Sequence, residues 1–403
     1  MSDYDVIVVG GGPGGSTAAR RTAQRGHTVL LLDKEKFPRV KPCAGGVHPT
    51  GIAALDFGID EVVQRRPYGF RMYAPSGMVV DCTQQEPSGG LVMRTDFDHL
   101  LLKKAEEAGA DVREGEKVVG AEQDSKGVSV ITTEGEIYTG SYLVGADGIN
   151  SVVAKSLGFY TGWPKDTAAV TIEVEAEVGK KAVERICGVP EKKDSVAFHI
   201  YLGAVEFGYA WCFPKKSILS VGLGGRQDRV QNLRSTFDAW FEEFKHEHEL
   251  EPEILSDTAA RVPYSGAAPK TILGRTLLVG DAAGFVNPFD QGGIFLAIRS
   301  GVIAAQIMNE AAKTENADGL KRYEKACHDD FGDVLKIGKK IAKLLFKSKK
   351  NMETVSRLGT EDPVIRDIMF RLVDGQDSYT KLYRALVKRF LFKHPRAGLS
   401  LYT

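Results

Sequence analysis

The sequence predicts an α/β fold: a doubly wound parallel sheet, interrupted by an inserted antiparallel sheet and followed by basic helices. Three observations predict it. The N-terminal stretch "DVIVVGGGPGGSTAARRTAQRGHTVLLLDKE" reads strand, glycine turn, helix, strand. "EIYTGSYLVGADGINSVVAKSLG" and "GRTLLVGDAAGFVNPFDQGGIFLAIRSGVIAAQIM" repeat the order strand, turn, helix further along. Between and around them "FRMYAPSGMVVDC", "DTAAVTIEVEAEV", "SVAFHIYLG", "FGYAWCFPK" and "SILSVGLGGR" show the alternation and turn punctuation of half-buried strands.

Bulk properties bound the answer. A chain of 403 residues exceeds what one core usually covers, so more than one domain is expected. Lys+Arg and Asp+Glu are equal at 53 each, which leaves no electrostatic bias toward nucleic acid. The five cysteines are an odd number with no C-x-x-C pair, pointing to reduced thiols rather than a disulfide frame or a zinc site. No apolar run reaches the ~18 residues of a spanning helix, and no signal peptide is legible. A cytoplasmic protein is expected.

The first element justifies a dinucleotide site. Gly10-x-Gly12-x-x-Gly15, with Gly14 between, follows a strand and opens a helix. That spacing turns the backbone sharply and brings a helix N-terminus to a pyrophosphate, as in a Rossmann-like unit. Asp33, at the end of the second strand, is placed for a ribose hydroxyl pair. The later units separate FAD from NAD. The strand before Gly280 delivers Asp281 to the ribityl hydroxyls of an extended FAD, and the helix N-terminus near Gly292, Gly293 and Ile294 faces the N1–O2 edge of a reduced flavin. Asp147 either shapes the turn near the adenine side or caps the next helix. "MRTDFDHLLLKKAEEAG" reads as a loop entering a helix, where Arg94 could cap the helix or pair with Asp96 or Asp98. The run also resembles the R-x-x-F-D entry of a group of FAD-dependent enzymes, which implies that Arg94 neighbours the flavin phosphates or ring.

The glycine fingerprint, "ADG" and "VGDAAG" together resemble the p-hydroxybenzoate-hydroxylase fold group of FAD-dependent oxidoreductases. "KPCAGG", "GYAWCFPKK" and "NPFDQGGI" resemble, within it, the geranylgeranyl reductase family, including its digeranylgeranylglycerophospholipid reductases. The likeness runs from about residue 4 to 310. It implies a discontinuous FAD domain at 1–66, 90–160 and 262–330, a β-sheet substrate domain at 67–89 and 161–261, and a helical, basic C-terminal region at 331–403. It also implies that Pro42, Cys43, Gly45 and Gly46 lie against the isoalloxazine, that Val118 meets the adenine, and that Cys43, Gly292 and Gly293 serve the chemistry. Tyr209, Trp211 and Phe213 would form a greasy channel for a prenyl chain, with Lys215 at its end meeting a phosphate head group or merely solvent. Cys43 itself reads either as a proton-donating thiol or as a small apolar wall.

The reaction implied is saturation of C=C bonds in geranylgeranyl groups of membrane-lipid precursors, with NAD(P)H or a ferredoxin-type iron–sulfur protein as donor. Two departures from the family pattern stand out: Asp290-Gln291 where glycine is common, and Glu206 where proline is common. The last ninety residues carry no motif. Residues 331–350 hold seven lysines and one acid, and 381–396 hold six cations and no acid. These segments read either as amphipathic helices on anionic lipid, placing the protein peripherally on the inner face of the cell membrane, or as solvated faces over the core. A monooxygenase or halogenase of the same fold, and a non-catalytic flavoprotein, are the rival readings. The histidines show no metal-ligand spacing; "HEH" at 246–248 reads as a solvated helix surface.

Overall fold

In the computed structural model, which describes residues 3–190, 192–313 and 317–401, β1 (Tyr4–Val9), α1 (Pro13–Ala23) and β2 (Val29–Asp33) form the βαβ opening. Val6 to Val9 and all of β2 are buried, as strands covered on both faces must be. β1 lies between β2 and the strand Ile137–Gly145, parallel to both. Asp111–Glu114 extends the sheet beyond β2, and Thr276–Leu278 extends it beyond Ile137–Gly145, again in parallel. Because these strands run the same way, Asp33, Asp147 and Asp281, each at or just after a strand end, collect along one carboxyl edge.

Glycine sets how closely the layers meet. Gly10 has φ +107°, and a Cβ there would lie 2.4 Å from the Ala146 carbonyl oxygen. A Cβ on Gly15 would lie 1.8 Å from the Gly10 carbonyl, so α1 rests directly on β1. The helix Ile294–Lys313 crosses α1 equally closely: a Cβ on Gly301 would lie 2.5 Å from the Gly14 carbonyl. This helix corrects the expectation that no segment has membrane-spanning length and hydropathy. It has both, but most of it is buried against α1 and the parallel sheet, so it is a core helix.

The second sheet runs Glu253–Pro263, Ala168–Glu177, Ile218–Arg226, Gly208–Pro214, Val196–Leu202, Pro67–Tyr73, Val79–Thr83. It is antiparallel, as expected, with one exception: Val196–Leu202 pairs in parallel with Pro67–Tyr73. The two strands come from separate stretches of chain, so no hairpin dictates their direction. Two helices within the strand-rich stretches escape the alternation reading, Lys180–Cys187 and Leu233–Glu247. The latter buries Phe237, Phe241 and Phe244 at helical spacing against Val221 and Leu223. Of the "HEH" stretch at its end, His246 and Glu247 are exposed, while His248 is half-buried and packs edge-on against Phe244 at 4.6 Å.

The basic C-terminal stretches are helices Arg322–Leu345, Lys349–Glu361, Pro363–Asp374, Tyr379–Lys393 and Pro395–Ser400. Leu345, Phe346, Met352, Leu358, Ile365, Met369 and Phe390 turn inward and pack on Phe70, Met72, Val80 and Leu202 of the second sheet. The lysine-rich faces are therefore the outer faces of helices that cover this sheet.

Gly301→Val forces a branched side chain between two helix backbones. It is expected to destabilise the protein by about 1–3 kcal/mol or more, read as a lowered thermal midpoint, whereas Gly109→Ala, where a Cβ meets nothing within 4 Å, costs only the strain of its positive φ.

Candidate functional site

A cavity of about 1060 Å³ opens along the carboxyl edge of the parallel sheet and continues beneath the second sheet. Single small-molecule pockets span roughly 300–1,000 Å³, so this chamber has room for a dinucleotide and part of a second ligand.

One end is the glycine turn. Gly10, Gly12, Gly14, Asp33, Val118 and Asp147 all line it. Gly12, the N-cap of α1, makes no side-chain cap, and no acidic residue stands in the first turn, so that turn's N–H groups and dipole are left for an anion. Asp33 accepts N–H bonds from Gly11 at 2.6 Å and Glu35 at 2.8 Å, which leaves lone pairs on both oxygens for hydroxyl donors. Gly15 does not line the cavity; its place is the contact between α1 and β1. Asp147 takes the capping role, accepting from Ser151 Oγ at 2.6 Å and from the N–H of Val152 at 2.6 Å.

Sequence reasoning missed Arg39. It pairs with the fully buried Asp98 at 3.0 Å, while its Nη1 is buried beside the glycine turn without a partner. Arg94 forms a bidentate pair with the same Asp98, at 2.8 and 2.7 Å, and also faces Cys43 and lines the cavity. The pairing with Asp98 is the one expected within the helix, and Arg94 also borders the cavity.

The middle is the Cys43 loop, held from below. The Cys43 N–H donates to Glu173 Oε1 at 2.9 Å, and Glu173 Oε2 accepts from Trp211 Nε1 at 3.2 Å. Lys215 is fully buried, and its Nζ donates to the Ala44 carbonyl. That corrects the expectation for Lys215: it does not line the cavity and meets neither solvent nor an incoming head group. Burial pushes the Lys215 pKa down and the Glu173 and Glu175 carboxyls up, because each ion is stripped of water. The Cys43 side chain packs with Val47, Phe97, Ile294 and Ile298. Pro42, Gly45 and Gly46 complete the rim.

The far end is apolar. Tyr209, Trp211 and Phe213, alternating along Gly208–Pro214, all line it. Phe213 stacks on Phe198 at 4.4 Å, and Tyr209 on Phe346 at 6.1 Å. Phe346, Met369 and Phe370 come from the C-terminal helices, in which no motif was legible. Opposite lie Gly280, Asp281, Gly292, Gly293 and Ile294. The Asp281 carbonyl accepts the Gly284 N–H at 3.1 Å, while its carboxylate accepts no hydrogen bond among the described residues. Gly292 already donates its N–H to Asp290 Oδ1 at 2.8 Å, so the expected helix-end donors reduce to Gly293 and Ile294. Among the described residues no group of His, Cys, Asp and Glu could hold a metal ion.

These residues fit FAD. An open helix N-terminus and the unpartnered Arg39 Nη1 suit its pyrophosphate, Asp33 a ribose, and Asp281 the ribityl hydroxyls. Residues 3–336 match the model of the FAD binding domain family. The chain is 30% identical, over 97% of its length and 96% of the other's, to a digeranylgeranylglycerophospholipid reductase of Methanocaldococcus jannaschii. Among solved structures, a geranylgeranyl bacteriochlorophyll reductase-like protein from Thermoplasma acidophilum has a TM-score of 0.82 at 24% identity, covering 99% of this chain and 98% of that one. A myxobacterial chondrochloren halogenase shares the fold at a TM-score of 0.67 and 23% identity, over 83% and 81% of the two chains.

Glu173→Ala strands two buried donors, the N–H groups of Cys43 and Trp211, at about 1–3 kcal/mol each. A lowered thermal midpoint and a lower flavin-to-protein absorbance ratio are expected, with Glu253→Ala on the exposed edge strand as an unaffected control.

Proposed function

This chain belongs to the geranylgeranyl reductase family of FAD-dependent oxidoreductases, and on that premise we propose that it saturates C=C bonds in the geranylgeranyl chains of membrane-lipid precursors. One observation carries the reading: the chamber with the dinucleotide turn at one end is walled at the other by Phe198, Tyr209, Trp211, Phe213, Phe346 and Met369. Such a wall suits a long branched hydrocarbon, not a polar aromatic acid or a sugar. The relative's name makes a digeranylgeranylglycerophospholipid the first substrate to try, ahead of a prenyl diphosphate, a chlorophyll ester or a quinone tail.

When bound, reduced FAD supplies a hydride equivalent. The protein must supply what an isolated, electron-rich alkene lacks. It excludes water from the chamber, holds the chain between aromatic faces that tolerate positive charge developing on a tertiary carbon, and provides a proton from Cys43 or another group beside the flavin. The glycines of the Cys43 loop let its backbone approach a flat ring, and Glu173 and Lys215 keep that loop in place. The reductant is NAD(P)H or a small iron–sulfur protein.

Leu391, Phe392 and Leu399 are 64%, 81% and 69% exposed on the last two helices, beside the exposed Lys388, Lys393 and Arg396. An apolar edge ringed by cations suits the surface of an anionic bilayer, where such substrates reside.

In an anaerobic single turnover, dithionite-reduced protein mixed with a geranylgeranyl lipid is expected to reoxidise, with matching hydrogen gain in the lipid by mass spectrometry. A flavin that stays reduced until air enters would put a monooxygenase or halogenase in its place. Phe392→Glu should reduce cosedimentation with anionic vesicles several-fold while leaving turnover of detergent-dispersed lipid unchanged; equal cosedimentation removes the membrane surface from the account.

A further inference from the structure

Among the chamber side chains that keep an unpartnered buried polar atom, Asp290 and His48 stand next to each other. Asp290 stands in the turn between the FAD-side strand Thr276–Leu278 and the helix Ile294–Lys313. Its Oδ1 accepts from Gly292, but its Oδ2 is buried with no partner. Its carbonyl accepts the Tyr209 hydroxyl at 2.7 Å, so the first aromatic of the wall pins the turn. His48, directly before the helix Pro49–Ala54, brings Nε2 to 3.9 Å from that Oδ2. The imidazole lies flat on Phe295 at 4.3 Å, and its Nδ1 is also buried and unpartnered. Its close neighbour is Gly375, where a Cβ would come within 2.5 Å of Nδ1. The two side chains are only 13% and 15% exposed, and both residues line the chamber. Buried polar atoms without partners are uncommon in folded proteins and call for a cause.

We infer that Asp290 is the acid that gives the alkene its proton and that His48 relays the replacement proton to it. The inference rests on the reductase reading. The Asp290 O–H bond breaks, and its proton forms a C–H bond with the alkene's π pair. The adjacent carbon is closed by the hydride equivalent of the reduced cofactor, so the alkene gains the two electrons that the cofactor loses. The carboxylate then takes a proton from His48 Nε2 as Nδ1 takes one from solvent water entering past the half-buried Asp374. Return of the hydrogen from Nδ1 to Nε2 through water resets the imidazole, so each turnover consumes one proton from solvent. Asp290 is the catalytic residue in this scheme; His48 acts through it.

The titratable groups facing Asp290 are His48, Tyr209 and Tyr379, with Asp374 behind His48. No cation stands among them to hold the carboxyl ionised. Burial pushes Asp290 up to about 7, against the Gly292 N–H, and pushes His48 down to about 4. A carboxyl raised in this way keeps its proton below about pH 7 and loses it above, so proton delivery weakens as pH rises through that value.

The test uses the flavin-loaded protein and the variants Asp290→Asn, Asp290→Glu and His48→Gln. Asparagine keeps the amide oxygen for Gly292 but carries no acid. In the oxidised protein, infrared difference spectra taken across pH 7 should show a carboxylic-acid carbonyl band that titrates in the wild type and is absent from Asp290→Asn. In anaerobic turnover, Asp290→Asn should slow lipid-driven reoxidation ~100-fold or more, with lipid affinity unchanged and the pH dependence abolished. Asp290→Glu should recover part of the rate, and His48→Gln should lower the solvent deuterium isotope effect on repeated turnover. An Asp290→Asn protein with the wild-type rate and pH profile overturns the assignment while the reductase reading stands, and sends the proton to Cys43. A wild-type protein that no prenyl lipid reoxidises, even with the infrared band present, overturns the reductase reading and this assignment with it.

Discussion

Three backbones in direct contact hold the structure in order. Where Gly15 lies on Gly10, and Gly301 on Gly14, no side chain intervenes between strand, first helix and long core helix. A Cβ at Gly15 or Gly301 would overlap the facing carbonyl and force the layers apart, and close-packed interiors transmit such shifts. Because the layers meet so closely, the N-terminus of α1 stands open at the carboxyl edge, with Asp33, Asp147 and Asp281 along the same line. The dinucleotide end of the chamber follows from that contact.

The other end depends on polar groups taken out of water. Lys215 and Glu173 would each be costly alone in the interior. Together they are tied to the backbone of one loop: Glu173 holds the Cys43 N–H and Lys215 holds the Ala44 carbonyl. Their cost is offset by a Gly-rich loop kept in a single conformation against a cavity, where a loop of that composition would otherwise fluctuate. Asp290 and His48 differ in kind. They are buried with hydrogen-bonding capacity unused, which identifies them with the chemistry of the chamber more than with its framework.

Much of this was legible along the chain. The glycine spacing, the three acids after strand ends and the aromatic alternation at 209–213 are local patterns, read from periodicity over a few residues, and the structure brings the acids and aromatics to one cavity. The failures have specific causes. Leu233–Glu247 is hidden among strands because stretches of strong alternation flank the helical spacing of Phe237, Phe241 and Phe244. Lys215, at the end of a strand motif, looked like a solvent-facing cation; the fold turns it under the Cys43 loop. Phe346, Met369 and Phe370 show nothing distinctive in sequence, since an apolar residue on a helix reads alike whether it packs on a core or walls a cavity.

The sequence by itself determined the nucleotide-binding architecture, the cofactor class and the aromatic face. Each depends on contacts between residues near one another in the chain, or on a backbone geometry that only glycine permits. Tertiary structure alone decided which carboxyl oxygens are left without a partner, which lysine is buried, and that helices beyond residue 340 close the chamber. Those properties are set by partners 80 to 330 residues away, as between Tyr209 and Asp290 or between His48 and Gly375. Burial and hydrogen-bond satisfaction belong to the assembled neighbourhood of a side chain, and no local pattern encodes them.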